Sequence, residues 1–362
     1  MRLGDRIRRL EESGRLDPPP LGGGNTAGRW SALAELARHD VSEARIAEAH
    51  VDALQILAEA DRARPAGCLY GVWASDHPRW RVTATAGADG DLVLHGSKAF
   101  CTGTGIVDRA LVTITVDDDS TGHEVSGRSR NEGTHGEPDD GPGDGPHLLV
   151  DVSLSALTAE RIDTSGWANT ALADTATAVV DLTGLVVARS EVVGGHRWYL
   201  DRHGFWDGAI GPAACWAGAA LGLVDHARLH PPNDPHGRAH LGAMSAVAWS
   251  LTAALDQAGR EIDADTARFA SIGESTDRSA GRRATAARAR ALTVRHLVDA
   301  GCAEIQDRFA RALGPRPLVA DAGVIERDHA LSLYRRQCHA ERDLEALGEL
   351  LTAPRHRPEA IE

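Results

Sequence analysis

Lysine is almost missing from this chain. Lys98 is the only one among 39 lysines and arginines, a bias toward arginine that reflects coding composition before any function. Aromatic residues make up only 4%, and methionine occurs twice. Cysteine is sparse too. Cys68, Cys101, Cys215, Cys302 and Cys338 are odd in number, scattered, and form no Cys-x-x-Cys pair. That spacing argues against a zinc site or a disulfide framework, and reduced thiols in a cytoplasmic setting are expected. No apolar run approaches the roughly 20 residues of a membrane span. The opening MRLGDRIRRLEESGRL is charged where a secretion signal needs an apolar core. Positive charge is deficient, with a net of −13, which argues against a nucleic-acid binder with its usual basic patch. Net seven of those negative charges fall between Asp117 and Pro146. No Gly-x-Gly-x-x-Gly opens a helix, and Gly22-Gly23-Gly24 follows no strand, so a Rossmann dinucleotide fold is disfavoured.

What is present is an ordinary globular composition, 42% apolar and 25% charged over 362 residues. That is more chain than one core usually holds. Residues 1–66 read as a short helical region. After the break LDPPPLGGGNTAG, Trp30, Leu33, Leu36 and Ala37 recur at helical spacing. A second helix carries Ile46, Ala49, Ala53, Leu54 and Leu57, with Ser42 as its N-cap and Glu43 in its first turn. Residues 67–193 read as a β domain of barrel-like type. WRVTAT, DLVLHG, ALVTITV, HLLVDVS and TAVVDLTGLVV are short, β-branched and separated by turn residues. The polar stretch 117–146 reads as a mobile insertion joining ALVTITV and HLLVDVS as adjacent strands. Residues 194–362 carry four long helical patterns, about 206–229, 237–258, 283–313 and 325–352, which predict a four-helix bundle. The fold class is therefore α+β. The small residues between Ala213 and Gly222 predict close helix approach.

Three segments carry something more specific. The first is Leu69-Tyr70-Gly71-Val72-Trp73-Ala74-Ser75 followed by Gly96-Ser97-Lys98-Ala99-Phe100-Cys101-Thr102-Gly103. The second is Asp108-Arg109-Ala110-Leu111-Val112. The third is Arg311-Ala312-Leu313-Gly314-Pro315-Arg316-Pro317-Leu318 with Glu326-Arg327-Asp328 and Tyr334 to Asp343. Together they resemble the acyl-CoA dehydrogenase superfamily over roughly residues 67–350. The resemblance implies FAD held between a β domain and a helical bundle. By motif position Phe100 would shield a flavin face. Thr102 would lie near the N5/O4 edge and donate its hydroxyl to the reduced ring. Trp73 and Ser75 would border the pyrimidine end, and Trp167 and Thr175 would support the ring. It also implies a homodimer or homotetramer, an acyl substrate, and electron exchange with an electron-transfer flavoprotein or a flavin reductase. The plainer reading of Trp73, Phe100 and Thr102 is a β-domain core with a strand-end hydroxyl.

The sequence departs from that pattern where the chemistry should be. The family's α,β-desaturation of a thioester needs an anionic, desolvated base within reach of the substrate α-carbon. The two positions that supply it correspond to Arg336 and Pro212, neither of which accepts a proton. Candidate replacements are His339, Asp207 and Glu341. A histidine here is similar to the monooxygenase branch, where reduced flavin meets oxygen and His339 would protonate a developing oxyanion. Asp207 reads equally as a helix-start acid, and Glu341-Arg342-Asp343 as a solvated face. The family's diphosphate-binding arginine motif is degraded to Asn233-Asp234-Pro235-His236-Gly237-Arg238, leaving Arg238 or His236 to meet a phosphate. The N-terminal domain is about half the usual length. His50 and Asp52, beside Glu48, face either the flavin cleft or a buried structural pair. Three functions stand: an acyl thioester desaturase with a relocated base, a flavin monooxygenase fed by a reductase, or a non-catalytic homologue. No metal site is expected.

Overall fold

The structure is a computed structural model that describes residues 2–116, 147–272 and 277–352. The expected insertion, 117–146, lies outside the described residues. The chain begins with three helices, α1 (Leu3–Glu12), α2 (Thr26–His39) and α3 (Val41–Glu59). The opening segment, read from sequence only as charged, buries Leu3, Ile7 and Leu10 on one side of α1. Asn25 caps α2 by accepting the Gly28 N–H at 3.2 Å. Asp40, not the expected Ser42, caps α3: it accepts the Glu43 N–H at 2.9 Å. A carboxylate one residue before the helix satisfies an otherwise orphaned donor.

Nine strands follow among the described residues: β1 (Tyr70–Trp73), β2 (Val82–Ala86), β3 (Leu92–Cys101), β4 (Arg109–Val116), β5 (His147–Ser153), β6 (Ile162–Asp163), β7 (Ala178–Asp181), β8 (Val186–Val187) and β9 (Val192–Val193). They form one mixed sheet in the order β6-β7-β3-β2-β4-β5-β9, with β1 parallel to β4 and β8 beside β3. The expected barrel is not formed, because the sheet stays open. Its terminal strands β6 and β9 are two residues long each, too short to present a ladder that would close it. The predicted neighbours ALVTITV and HLLVDVS are indeed antiparallel partners, from Arg109 opposite Ser153 to Thr115 opposite His147.

The remaining helices are α4 (Trp198–Asp201), α5 (Gly204–Gly208), α6 (Gly211–Leu229), α7 (Pro235–Ile272), α8 (Asp277–Leu313), α9 (Pro317–Ala320), α10 (Ala322–Tyr334) and α11 (Glu341–Thr352). The expected helix 325–352 is therefore two helices, broken at residues 335–340. Asp343 accepts the His339 backbone N–H at 3.1 Å, starting α11 afresh, and Ala340 sits at φ 50°. Gly204–Leu229 matches a membrane span in length and hydropathy, but 78% of its apolar window is buried as a core helix.

The chain divides into two compact units whose bounds differ from the segments 1–66, 67–193 and 194–362. One unit joins the residues up to Ser13 with Ala49–Arg202. Its core sets Ala53, Ile56 and Leu57 of α3 against Tyr70, Leu111, Leu149 and Val193. The other joins Gly14–Glu48 with the chain from His203 onward. There α2 packs with α6 and α7, so the helical assembly recruits a helix expected in the N-terminal domain. Two glycines explain how. A Cβ on Gly218 would lie 2.0 Å from the Ala34 carbonyl oxygen, and one on Gly259 2.4 Å from the Ala27 nitrogen. The expected small-residue approach of α6 is thus an approach to α2. Asp263 of α7 completes the seam by accepting the Thr26 N–H at 3.0 Å and its hydroxyl at 2.7 Å.

Candidate functional site

In the β-rich unit, three of the residues singled out from the sequence come together at the end of β3. A register shift between Lys98 and Cys101 interrupts the β3–β7 ladder. Such a bulge re-aims the side chains that follow it. Lys98 points inward, 2% exposed, where its ammonium donates to the Thr113 hydroxyl at 2.8 Å and carbonyl at 3.1 Å. Asp76 lies 3.4 Å away as counter-charge. Burial pulls the Lys98 ammonium down, against the upward pull of Asp76. Two residues on, Phe100 takes φ 56° and leaves its ring 53% exposed. A left-handed backbone costs a non-glycine residue about 1–2 kcal/mol, and here it presents an apolar ring outward instead of burying it.

Thr102 follows. Its carbonyl accepts the Trp73 indole N–H at 3.0 Å. Gly71 leaves room for that indole, because a Cβ there would lie 2.9 Å from Trp73 Nε1. The Thr102 hydroxyl is 3.1 Å from that of Thr177, which is 3.2 Å from that of Thr175. Thr175 donates its proton to the Leu172 carbonyl at 2.7 Å. Each hydroxyl has one proton, so the donations run from Thr102 to Thr177 to Thr175 to Leu172. Thr175 was singled out beforehand; Thr177 was missed, although its spacing from Thr175 in a strand-entry turn was the available signal.

Ser75 lies on the exposed loop after β1, next to Asp76. Trp167 stands in a turn and donates its indole N–H to Ala171 O at 3.1 Å. His50 is fully buried. Its Nδ1 accepts the Tyr70 N–H at 3.1 Å, and its Nε2 lies 3.3 Å from Glu11. Asp52 meets the buried Arg202 at 3.4 Å. Both therefore hold the unit together.

The candidate bases belong to the helical unit. Asp207 is 5% exposed and faces Arg290 at 3.1 Å. Arg290 also reaches Glu261 at 3.1 Å and contacts Asp265. Burial pushes the Asp207 carboxyl up, and Arg290 pulls it back. His339 is exposed with Nδ1 3.4 Å from Asp343, and Glu341 is exposed two residues on. Arg295 ties the two candidate regions together. It donates to the Ala209 carbonyl, two residues past Asp207, at 2.8 Å and to the Gln337 carbonyl, two residues before His339. Arg238 donates to its own loop, the Asn233 carbonyl, at 2.6 Å.

A further carboxylate emerges that the sequence offered only as a neighbour. Glu48 is 7% exposed, and its Oε1 would be 3.1 Å from a Cβ on Gly211. It thus lies at the start of α6 beside Pro212, where the resemblance located the missing base. Arg45 is 3.3 Å from it, and the Tyr334 hydroxyl donates to it at 3.4 Å.

No protein-family profile matches the sequence, and no curated protein matches it by sequence. Solved structures do match in fold. TdsC, the dibenzothiophene monooxygenase of Paenibacillus sp. A11-2, in its complex with FMN and indole, aligns at TM-score 0.72 and 18% identity over 96% of this chain and 89% of that one. KijD3 in complex with FMN and a dTDP-linked amino-keto sugar aligns at TM-score 0.74 and 14% identity, over 98% and 88%. The methanesulfinate monooxygenase MsuC of Pseudomonas fluorescens aligns at TM-score 0.66 and 15% identity, over 97% and 95%.

Proposed function

The chain has the acyl-CoA dehydrogenase fold as a divergent example, and from that premise we propose a flavin-dependent oxidoreductase of the monooxygenase kind. The observation that carries the reading is the end of β3, where an exposed Phe100 ring stands two residues from the Thr102–Thr177–Thr175 hydroxyl series. A planar ring with polar edges fits that arrangement: Phe100 would cover a face, and Thr102 would meet a polar edge. Trp73 fixes the backbone that carries Thr102, and Ser75 and Trp167 border the same unit. Bound there, flavin would supply two-electron transfer and, when reduced, reaction with oxygen. FMN is favoured over the FAD expected from sequence, because the TdsC and KijD3 complexes contain FMN. Arg336 and Pro212 at the two base positions favour oxygen chemistry. Reducing equivalents would then come from a flavin reductase. Trp249 and Leu297, 74% and 50% exposed on α7 and α8, support a homo-oligomer.

A second reading has one observation behind it. Glu48 beside Gly211 would serve as a relocated base for desaturation of an acyl thioester. The test is the absorption spectrum with added FMN or FAD, followed by two assays. Protein-dependent formation of the S-oxide or N-oxide from an organic sulfur or amine substrate, with reduced flavin and oxygen, supports the monooxygenase. Anaerobic bleaching by an acyl thioester supports the desaturase. Failure to bind either flavin overturns both and leaves a non-catalytic homologue.

A further inference from the structure

The loop between β1 and β2 carries a feature that the flavin reading does not use. His77-Pro78-Arg79-Trp80 is a four-residue turn in which the Trp80 N–H donates to the His77 carbonyl at 3.2 Å. Proline at its second position presets the backbone angle that such a turn needs. His77 and Trp80, at the two ends of the turn, meet with ring centroids 4.5 Å apart. His77 in turn lies edge-on to Phe100, 6.2 Å between centroids. In a chain with 4% aromatic residues, three rings therefore run in series from the exposed Phe100 out along one loop.

Two polar features complete it. The Arg79 guanidinium lies over the Trp80 ring, 5.2 Å from its centroid, and no carboxylate pairs with it among the described residues. The loop's own acid, Asp76, is answered by Lys98 instead. The Arg79 backbone N–H donates to His77 Nδ1 at 3.1 Å. In neutral His77 that leaves the ring proton on Nε2, as a donor. Aromatic rings accept other rings edge-on or offset, and a guanidinium on a ring face pairs with an anion in a forked geometry.

The geometry points to a recognition platform for a planar aromatic molecule that bears an anionic group, with the ring on His77 and Trp80 and the anion on Arg79. This deepens the flavin-site reading by naming a substrate class for it. It rests on that reading only in taking Phe100 as the link to the reacting centre.

Naphthalene-2-carboxylate, naphthalene-2-carboxamide and cyclohexanecarboxylate are the probes, titrated calorimetrically into the full chain. FMN binding is measured separately by absorption. The carboxylate of naphthalene is expected to bind at least tenfold more tightly than either of the others. Arg79→Ala should abolish the preference over the carboxamide, and Trp80→Ala should weaken both naphthalenes together. Circular dichroism checks that each variant is folded, and Arg79→Lys, which keeps the charge, should retain part of the preference. Equal binding of carboxylate and carboxamide, an undiminished preference in Arg79→Ala, or no binding of any probe would overturn the platform. If FMN fails to bind while the naphthalene preference holds, the flavin reading fails and the platform stands. If FMN binds and the preference is absent, the platform alone fails.

Discussion

The indole N–H of Trp73 reaches the carbonyl oxygen of Thr102 across 3.0 Å, so the strand before the aromatic loop holds the residue that follows β3. Both residues are buried. Trp73→Phe keeps most of the apolar volume and removes the donor. Leaving a buried carbonyl unsatisfied costs about 1–3 kcal/mol. Urea unfolding should show that loss, and FMN titration should show weaker binding, because the Thr102 backbone is no longer fixed. Unchanged FMN affinity would separate the bond from the site.

Phe100→Gly removes the ring and relieves its left-handed backbone. The ring is 53% exposed, so little burial is lost, and stability should stay within about 1 kcal/mol of the parent. FMN affinity should fall at least tenfold. A variant that loses stability but binds FMN normally would assign Phe100 to the core.

Arg290 answers a buried carboxylate, Asp207. Arg290→Met leaves that charge without its partner, and breaking a buried pair costs about 3–5 kcal/mol. Adding Asp207→Asn should recover part of the loss. Chemical denaturation of the single and double variants gives the comparison; a near-neutral Arg290→Met would mean that the pair contributes little.

Asp108 provides a pH test. Against the upward push of partial burial, the Arg8 guanidinium and the Leu69 N–H hold its carboxyl below the ordinary range. A carboxylate depressed in the folded state adds stability that is present above the unfolded pKa, about 3.9, and lost as pH falls through the folded value. The stability gap between the parent and Asp108→Asn should be full at pH 6 and shrink below about pH 4. Urea midpoints at pH 6, 4 and 3 measure it, and a gap independent of pH would remove the ion pair from the account.

Strand and helix positions were legible wherever a pattern was local. ALVTITV and HLLVDVS gave their own pairing because alternation and β-branching act residue by residue. The break between α10 and α11 was not legible. Residues 335–340 contain neither glycine nor proline, and the stop joins a local cap, Asp343 on the His339 N–H, to a tertiary contact, Arg295 on the Gln337 carbonyl. The openness of the sheet was hidden as well, because it depends on how short β6 and β9 are. At the candidate site, the motif picked out Trp73, Phe100 and Thr102 together. It missed Thr177, which meets Thr102 only through the fold, and it missed Glu48, which reaches Gly211 only after α3 and α6 pack.

Lys98 is the only lysine in the chain and lies 2% exposed within β3. An endoprotease selective for lysine thus has a single scissile bond to attack, Lys98–Ala99, and the native sheet conceals it. Two-fragment cleavage would clock the opening of the very strand that bears Phe100, and a bound molecule that slows it would reveal itself with no chromophore at all.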